Sequence, residues 1–153
     1  MTITVAAEPF DSADARRLIQ ALDAHLSTLY ADEERHGPNL KPEHLAGGLG
    51  TFLIARLDGR AVGCGALRRI DETTSEVKRM YVEPDARGRH VGRQILDHLE
   101  NAARDLGTHR VVLETGIYQA EAIALYRRAG FAPVACWGEY AHTLTSVCFE
   151  KTV

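Results

Sequence analysis

Apolar residues recur at spacings of three and four in Leu18, Ile19, Leu22, Leu26 and Leu29, which predicts an amphipathic helix capped at Asp11 or Ser12. A second stripe, Val91, Ile95, Leu99, Ala102 and Leu106, predicts a helix running from Gly88 to Leu106 and ended by Gly107. A shorter one, Glu121 to Ala129, closes at Gly130. Runs of β-branched and alternating residues predict strands over Thr2–Ala7, Thr51–Leu57, Arg60–Ile70, Ser75–Val82, Val111–Glu114, Phe131–Trp137 and Thr143–Glu150. Asp58-Gly59 joins two of them as a tight hairpin. Gly63 and Gly65 inside the partner strand indicate a bulge or a close backbone approach. Residues 31–50, polar and broken by Gly37, Pro38, Pro42, Gly47 and Gly48, read as a loop with a short helix. A hairpin followed by strand–helix–strand–helix predicts a mixed α/β sheet with helices on its faces.

At 153 residues the chain reads as a single domain, 1–153, large enough for a proper core. A net charge of -3 argues against nonspecific nucleic-acid binding, which would call for a basic stripe. Cys64, Cys136 and Cys148 lack C-x-x-C spacing and lie in apolar runs, so buried thiols are expected rather than a disulfide or a zinc site. The N-terminus lacks a basic and apolar leader, and no run of 18 or more apolar residues occurs, so a cytoplasmic chain without a membrane partner is expected.

Candidate chemistry concentrates in Met80-Tyr-Val-Glu-Pro-Asp-Ala-Arg-Gly-Arg-His-Val-Gly-Arg93. A strand stops at Pro84, an Arg/Gly turn follows, and a helix begins. Unpaired N–H groups of a first helical turn and the helix dipole favour an anion there. Arg87, Arg89 and Arg93 add full positive charges suited to phosphate. The chain holds no Gly-Lys-Ser/Thr triplet, so a P-loop does not fit. Its glycines fall in mid-chain, which does not suit a dinucleotide fingerprint.

Arg87-Gly88-Arg89-His90-Val91-Gly92 resembles the pyrophosphate-binding motif Gln/Arg-x-x-Gly-x-Gly/Ala of the GNAT superfamily of acyl-CoA-dependent N-acetyltransferases, with His90 where the family has its central glycine. Gln119-Ala-Glu-Ala-Ile-Ala-Leu-Tyr126-Arg-Arg-Ala-Gly-Phe131 is similar to that family's Asn-x-x-Ala-x-x-Leu-Tyr-x-x-x-Gly-Phe, with Gln119 replacing Asn. The resemblance implies a GNAT fold: a mixed, mostly antiparallel sheet of about seven strands, splayed between the fourth and fifth and flanked by about four helices. It implies acetyl-CoA as acyl-donor co-substrate without a metal, and direct transfer to an amine of a small molecule or peptide in a ternary complex. A homodimer is compatible with it.

By the same resemblance, amides of Arg87, Gly88, Arg89, His90, Val91 and Gly92 hold the pyrophosphate, with Arg93 beside them. Backbone groups of Met80, Tyr81 and Val82 receive the pantetheine arm as an added strand, and the Gln119 side-chain amide is a candidate to reach it. A strand N–H near Met80 holds the oxyanion, and Tyr126 protonates the departing thiolate. Glu76 is placed by alternation on one face with Lys78, Met80 and Val82, as a candidate base for the acceptor amine; Glu83 is a weaker one. Tyr30, Glu33 and His36, within a segment that also holds Asp32 and Glu34, are candidates for the acceptor pocket.

Plainer readings stand beside these. Arg89 and Arg93 equally suit a solvated helix start, and His90 an exposed surface position. Glu76 suits a strand end or a pair with Lys78, Gln119 a helix cap, Tyr126 a core aromatic, and residues 30–36 a solvated helix end. The departures at His90 and Gln119 also leave open a GNAT-fold module that binds or senses CoA without catalysis.

Overall fold

The structure is a computed structural model that describes residues 1–30 and 40–153. Seven strands form one sheet in the order β1-β2-β3-β4-β5-β7-β6. These are β1 Ile3–Ala7, β2 Gly50–Leu57, β3 Arg60–Arg69, β4 Thr74–Val82, β5 Arg110–Gly116, β6 Ala132–Val134 and β7 Ser146–Thr152. Three α-helices occur among the described residues, α1 Ala13–Leu29, α2 Val91–Asp105 and α3 Ala120–Arg128, against the expected four. All strand pairs are antiparallel except β4 with β5.

The Ser12 side chain accepts from the Ala15 N–H and caps α1. Leu18 and Leu22 of α1 pack with Phe52, Ile54, Cys64, Ala66 and Tyr81 on one face of the sheet. On the other face Val91, Ile95 and Leu99 of α2, with Tyr126 of α3, pack against Leu67, Val77, Val111, Leu113 and Phe149. Gly63 and Gly65 explain how closely α2 sits. A Cβ at Gly65 would lie 2.7 Å from Met80 Sδ and 2.8 Å from Ile95 Cγ2.

The helix predicted from Gly88 begins at Val91, because Gly88 (φ 78°) and His90 (φ 63°) adopt left-handed backbone. The predicted Phe131–Trp137 strand stops at Val134, and Thr143–Glu150 becomes Ser146–Thr152. Pro133 offers no N–H, which suits β6 to its place at the sheet edge. Between β6 and β7, Gly138–His142 forms a 3₁₀ turn.

The cysteine expectation is corrected. Cys136 and Cys148 are disulfide-bonded, because pairing of Val134 with Cys148 brings the β6 exit back against β7. Cys64 alone is a free, buried thiol, and burial pushes it up to about 12. At that value it is a poor nucleophile at neutral pH.

Candidate active site

Two adjacent strands part company in the middle of the sheet. The β4–β5 ladder runs only from Thr74–Arg110 to Val77–Leu113, while β5 stays paired with β7 along its whole length. Beyond Val77, the β4 edge facing β5 is therefore open. Arg79 (φ 58°) forms a bulge there, and the β3–β4 register shifts opposite it, between Cys64 and Ala66.

The bulge overturns one expectation. Val77, Met80 and Val82 all pack with the α2 core, whereas Tyr81 packs with α1. An extra residue between Val77 and Met80 reverses the alternation, so Glu76 and Lys78 do not share a face with Met80 and Val82.

The open edge leads into the Arg/Gly turn. Among the described residues the N–H groups of Gly88, Arg89, His90, Val91, Gly92 and Arg93 make no backbone hydrogen bond, and the next amide, Gln94, returns to the His90 carbonyl. Successive free amides at a helix start form a concave anion site. His90 is not the helical residue expected; it occupies the left-handed position where the motif has glycine. The Val91 side chain is buried in the core, so its amide is what it offers to the turn.

The three arginines differ. Arg87 Nε donates to the Val82 carbonyl at 3.0 Å and its Nη1 lies 3.6 Å from Glu121, so one acceptor of the open edge is already used. Arg89 is exposed and approaches Met1 Sδ. Arg93 pairs with Asp97 at 3.0 Å and donates to the Arg128 carbonyl at the end of α3. That fits a helix–helix tie better than a phosphate contact.

Helix α3 lies against this turn, with Leu125 Cδ2 only 3.1 Å from where a Gly92 Cβ would sit. The Tyr126 ring packs edge-on to Phe131 at 6.0 Å and near Phe149 at 6.4 Å. Its hydroxyl bonds to no described residue. Burial, with a smaller push from Glu114, raises this phenol well above its ordinary value near 10. It stays protonated across the neutral range, as an acid must. Gln119 neither caps α3 with its side chain nor is free, for its Oε1 accepts from the Gly116 N–H at 3.0 Å.

The α1 side of the opening carries a polar network. Glu76 is 1% exposed, not a solvated strand end. Its Oε1 accepts from Arg68 Nε at 2.9 Å and its Oε2 from the Tyr140 hydroxyl at 3.2 Å. Lys78 Nζ donates to the same hydroxyl at 3.1 Å. Burial raises the Tyr140 phenol, and the neighbouring Glu76 and Glu114 carboxylates push the same way. On β5, Glu114 accepts from Ser146 at 2.7 Å. Glu83 pairs with Arg17 at 2.7 Å on the surface.

Tyr30 is buried, and its hydroxyl accepts from the Tyr118 N–H at 3.0 Å, tying the end of α1 to the turn after β5. Glu33 and His36 lie outside the described residues. Tyr140, Lys78 and Glu114 were missed as a group. Alternation past Val111 could have flagged Glu114, but Tyr140 lies in a non-periodic turn that carries no such signal. Among the described residues, no cluster of His, Cys, Asp and Glu is placed to hold a metal, and no helix is long and apolar enough to cross a membrane.

Glu76→Gln is expected to lower the unfolding free energy by about 2–3 kcal/mol. It strands the Arg68 guanidinium, which keeps some solvent contact and so falls short of a fully buried pair. Denaturant titration checks this, and a loss under about 0.5 kcal/mol would mean that solvent already screens the pair.

Residues 15–131 match the acetyltransferase (GNAT) family. The chain is 43% identical over 151 residues to an IAA acetyltransferase of Azospirillum brasilense, covering 97% of each. Among solved structures it is similar to a Klebsiella pneumoniae protein assigned as an acyl-CoA N-acyltransferase, with a TM-score of 0.83, 36% identity, and coverage of 99% of this chain and 97% of that one. It shares its fold with the PaiA N-acetyltransferase of Thermoplasma acidophilum, solved in complex with coenzyme A, at a TM-score of 0.74, 19% identity and full coverage of both.

Proposed function

The chain belongs to the GNAT family of acetyltransferases, and from that premise we propose that it transfers acetyl from acetyl-CoA directly to an amine of a small molecule or peptide in a ternary complex. The observation that carries this reading is the run of unpartnered amides from Gly88 to Arg93, set where the β4 edge opens away from β5. Both halves suit the donor. The amides fit a pyrophosphate, and an open strand edge fits the two amides of pantetheine. The donor supplies a thioester whose acyl carbon an amine can attack.

The residues then have distinct tasks. Gly88, Arg89, His90, Val91 and Gly92 offer amides to the phosphates, and Arg87 lends charge while it holds the turn to Val82. Met80 and Val82 orient the arm, and the N–H near Met80 faces the thioester oxygen. Tyr126 delivers its hydroxyl proton to the leaving sulfur. Glu76, enclosed by Arg68 and Tyr140, acts as a positioning residue for Tyr140 and Lys78. The acceptor's proton passes to water at the opening. Tyr30 borders the acceptor side.

The test is release of the CoA thiol from acetyl-CoA in the presence of amines, amino acids, N-terminal peptides and IAA, the compound in the name of the Azospirillum relative. Tight CoA binding without release for any acceptor would replace this reading by a non-catalytic CoA-binding module.

His90→Gly probes the departure in the motif. Relief of left-handed strain, about 1–2 kcal/mol, is opposed by about 0.4–1 kcal/mol of unfolded-chain entropy, so stability should change by less than about 1 kcal/mol. CoA affinity should hold or tighten, since the Cβ beside the amides is removed. Calorimetry that shows clearly weaker CoA binding would give the His90 side chain a phosphate-pairing role.

A further inference from the structure

On the α1 side of β4 one cation makes no direct ion pair among the described residues, although the carboxylates of Glu76 and Glu114 lie near it. Arg68 pairs with Glu76 at 2.9 Å and Arg79 with Asp23 at 2.9 Å. Lys78 lies between them, half-buried, and no carboxylate comes within 4.0 Å of its Nζ among the described residues. Among the described residues it donates to the Tyr140 hydroxyl alone. That hydroxyl in turn donates to Glu76, which fixes the ammonium in place. Arg79 keeps a buried Nε with no acceptor among the described residues. Burial pulls the Lys78 amine below its ordinary value, Glu76 and Glu114 oppose the shift, and Arg68 and Arg79 reinforce it.

A partly desolvated ammonium with no carboxylate in direct contact keeps part of its desolvation penalty, and an anion arriving from solvent offsets it. Position matters as much. The β4–β5 ladder ends at Val77–Leu113, so Lys78 is the first β4 residue at the opening.

We propose that Lys78 binds a carboxylate on the acceptor, which makes the acceptor class an amino carboxylate rather than a simple amine. This rests on the acetyl-transfer reading and narrows it. With one N–H engaged by Tyr140, two remain for carboxylate oxygens, and charge-assisted hydrogen bonds of this kind are the stronger ones. An acceptor held there keeps its amine beside the open edge of β4.

The test is calorimetry on the CoA-loaded protein, titrated with free α-, β- and γ-amino acids and with their primary amides. At least one acid should bind saturably, with its amide roughly tenfold or more weaker. Lys78→Met should weaken that acid by a similar factor while the amide and CoA bind as before, and Lys78→Arg should restore most of the loss. The proposal is overturned if amides bind as well as acids, if no acid binds, or if Lys78→Met weakens both alike. The acid–amide comparison on the unaltered protein needs no variant to fold. Binding of acids without any CoA thiol release would sink the transfer reading and leave the Lys78 site standing. Release with neutral amines alone would do the reverse.

Discussion

Tyr126→Phe is expected to lower kcat by roughly ten- to a thousand-fold while the affinity for acetyl-CoA is nearly kept. The ring stays packed on Phe131 and Phe149, so the substitution removes one oxygen and little packing. That oxygen has no partner among the described residues to leave stranded, so the folded state should hardly notice. Only a proton donated late in the reaction is lost. Because the phenol is held above its ordinary value, the wild-type profile should show no falling limb from this group below about pH 10. A variant with wild-type kcat, measured where chemistry limits the rate, would return Tyr126 to the role of a core aromatic.

Gly92→Val is expected to weaken CoA binding by roughly ten- to a hundredfold. Any Cβ at this position would sit 3.1 Å from Leu125 Cδ2 and 3.6 Å from Val82 Cγ2. A β-branched residue must therefore push α3 or the end of β4 away from the first turn of α2 and distort the row of free amides. Thermal unfolding separates the two effects. Lower stability with CoA affinity unchanged by calorimetry would remove the turn from the phosphate site. Gly92→Ala, with less bulk, should fall between.

The two polar readings of β4 show where local pattern fails. Strict alternation places Glu76 with Met80, and it is sound for a regular strand. Arg79 breaks it with a left-handed residue that nothing in its own chemistry announces, since arginine has no preference for that backbone. The bulge is set by the neighbours, with Gly65 leaving room opposite and Met80 and Val82 drawn towards α2. Glu76 then falls on the α1 side and is enclosed by Arg68, its cross-strand partner, and by Tyr140 from a distant turn.

Short-range information sufficed where one stretch of chain makes its own structure. The Ser12 cap, the stripes of α1 and α2, the Asp58-Gly59 hairpin and the Arg/Gly turn each depend on residues within a few positions of one another. Their periodicities and turn chemistry can therefore be read directly, and the paired motifs carry the family. Other features needed the whole molecule. The strand order β5-β7-β6 brings Cys136 to Cys148 and Tyr140 to Glu76 and Lys78, across 12 and 64 residues in the first two cases. A sequence pattern records which face a residue prefers. Which distant side chain meets it there is decided when the strands pack.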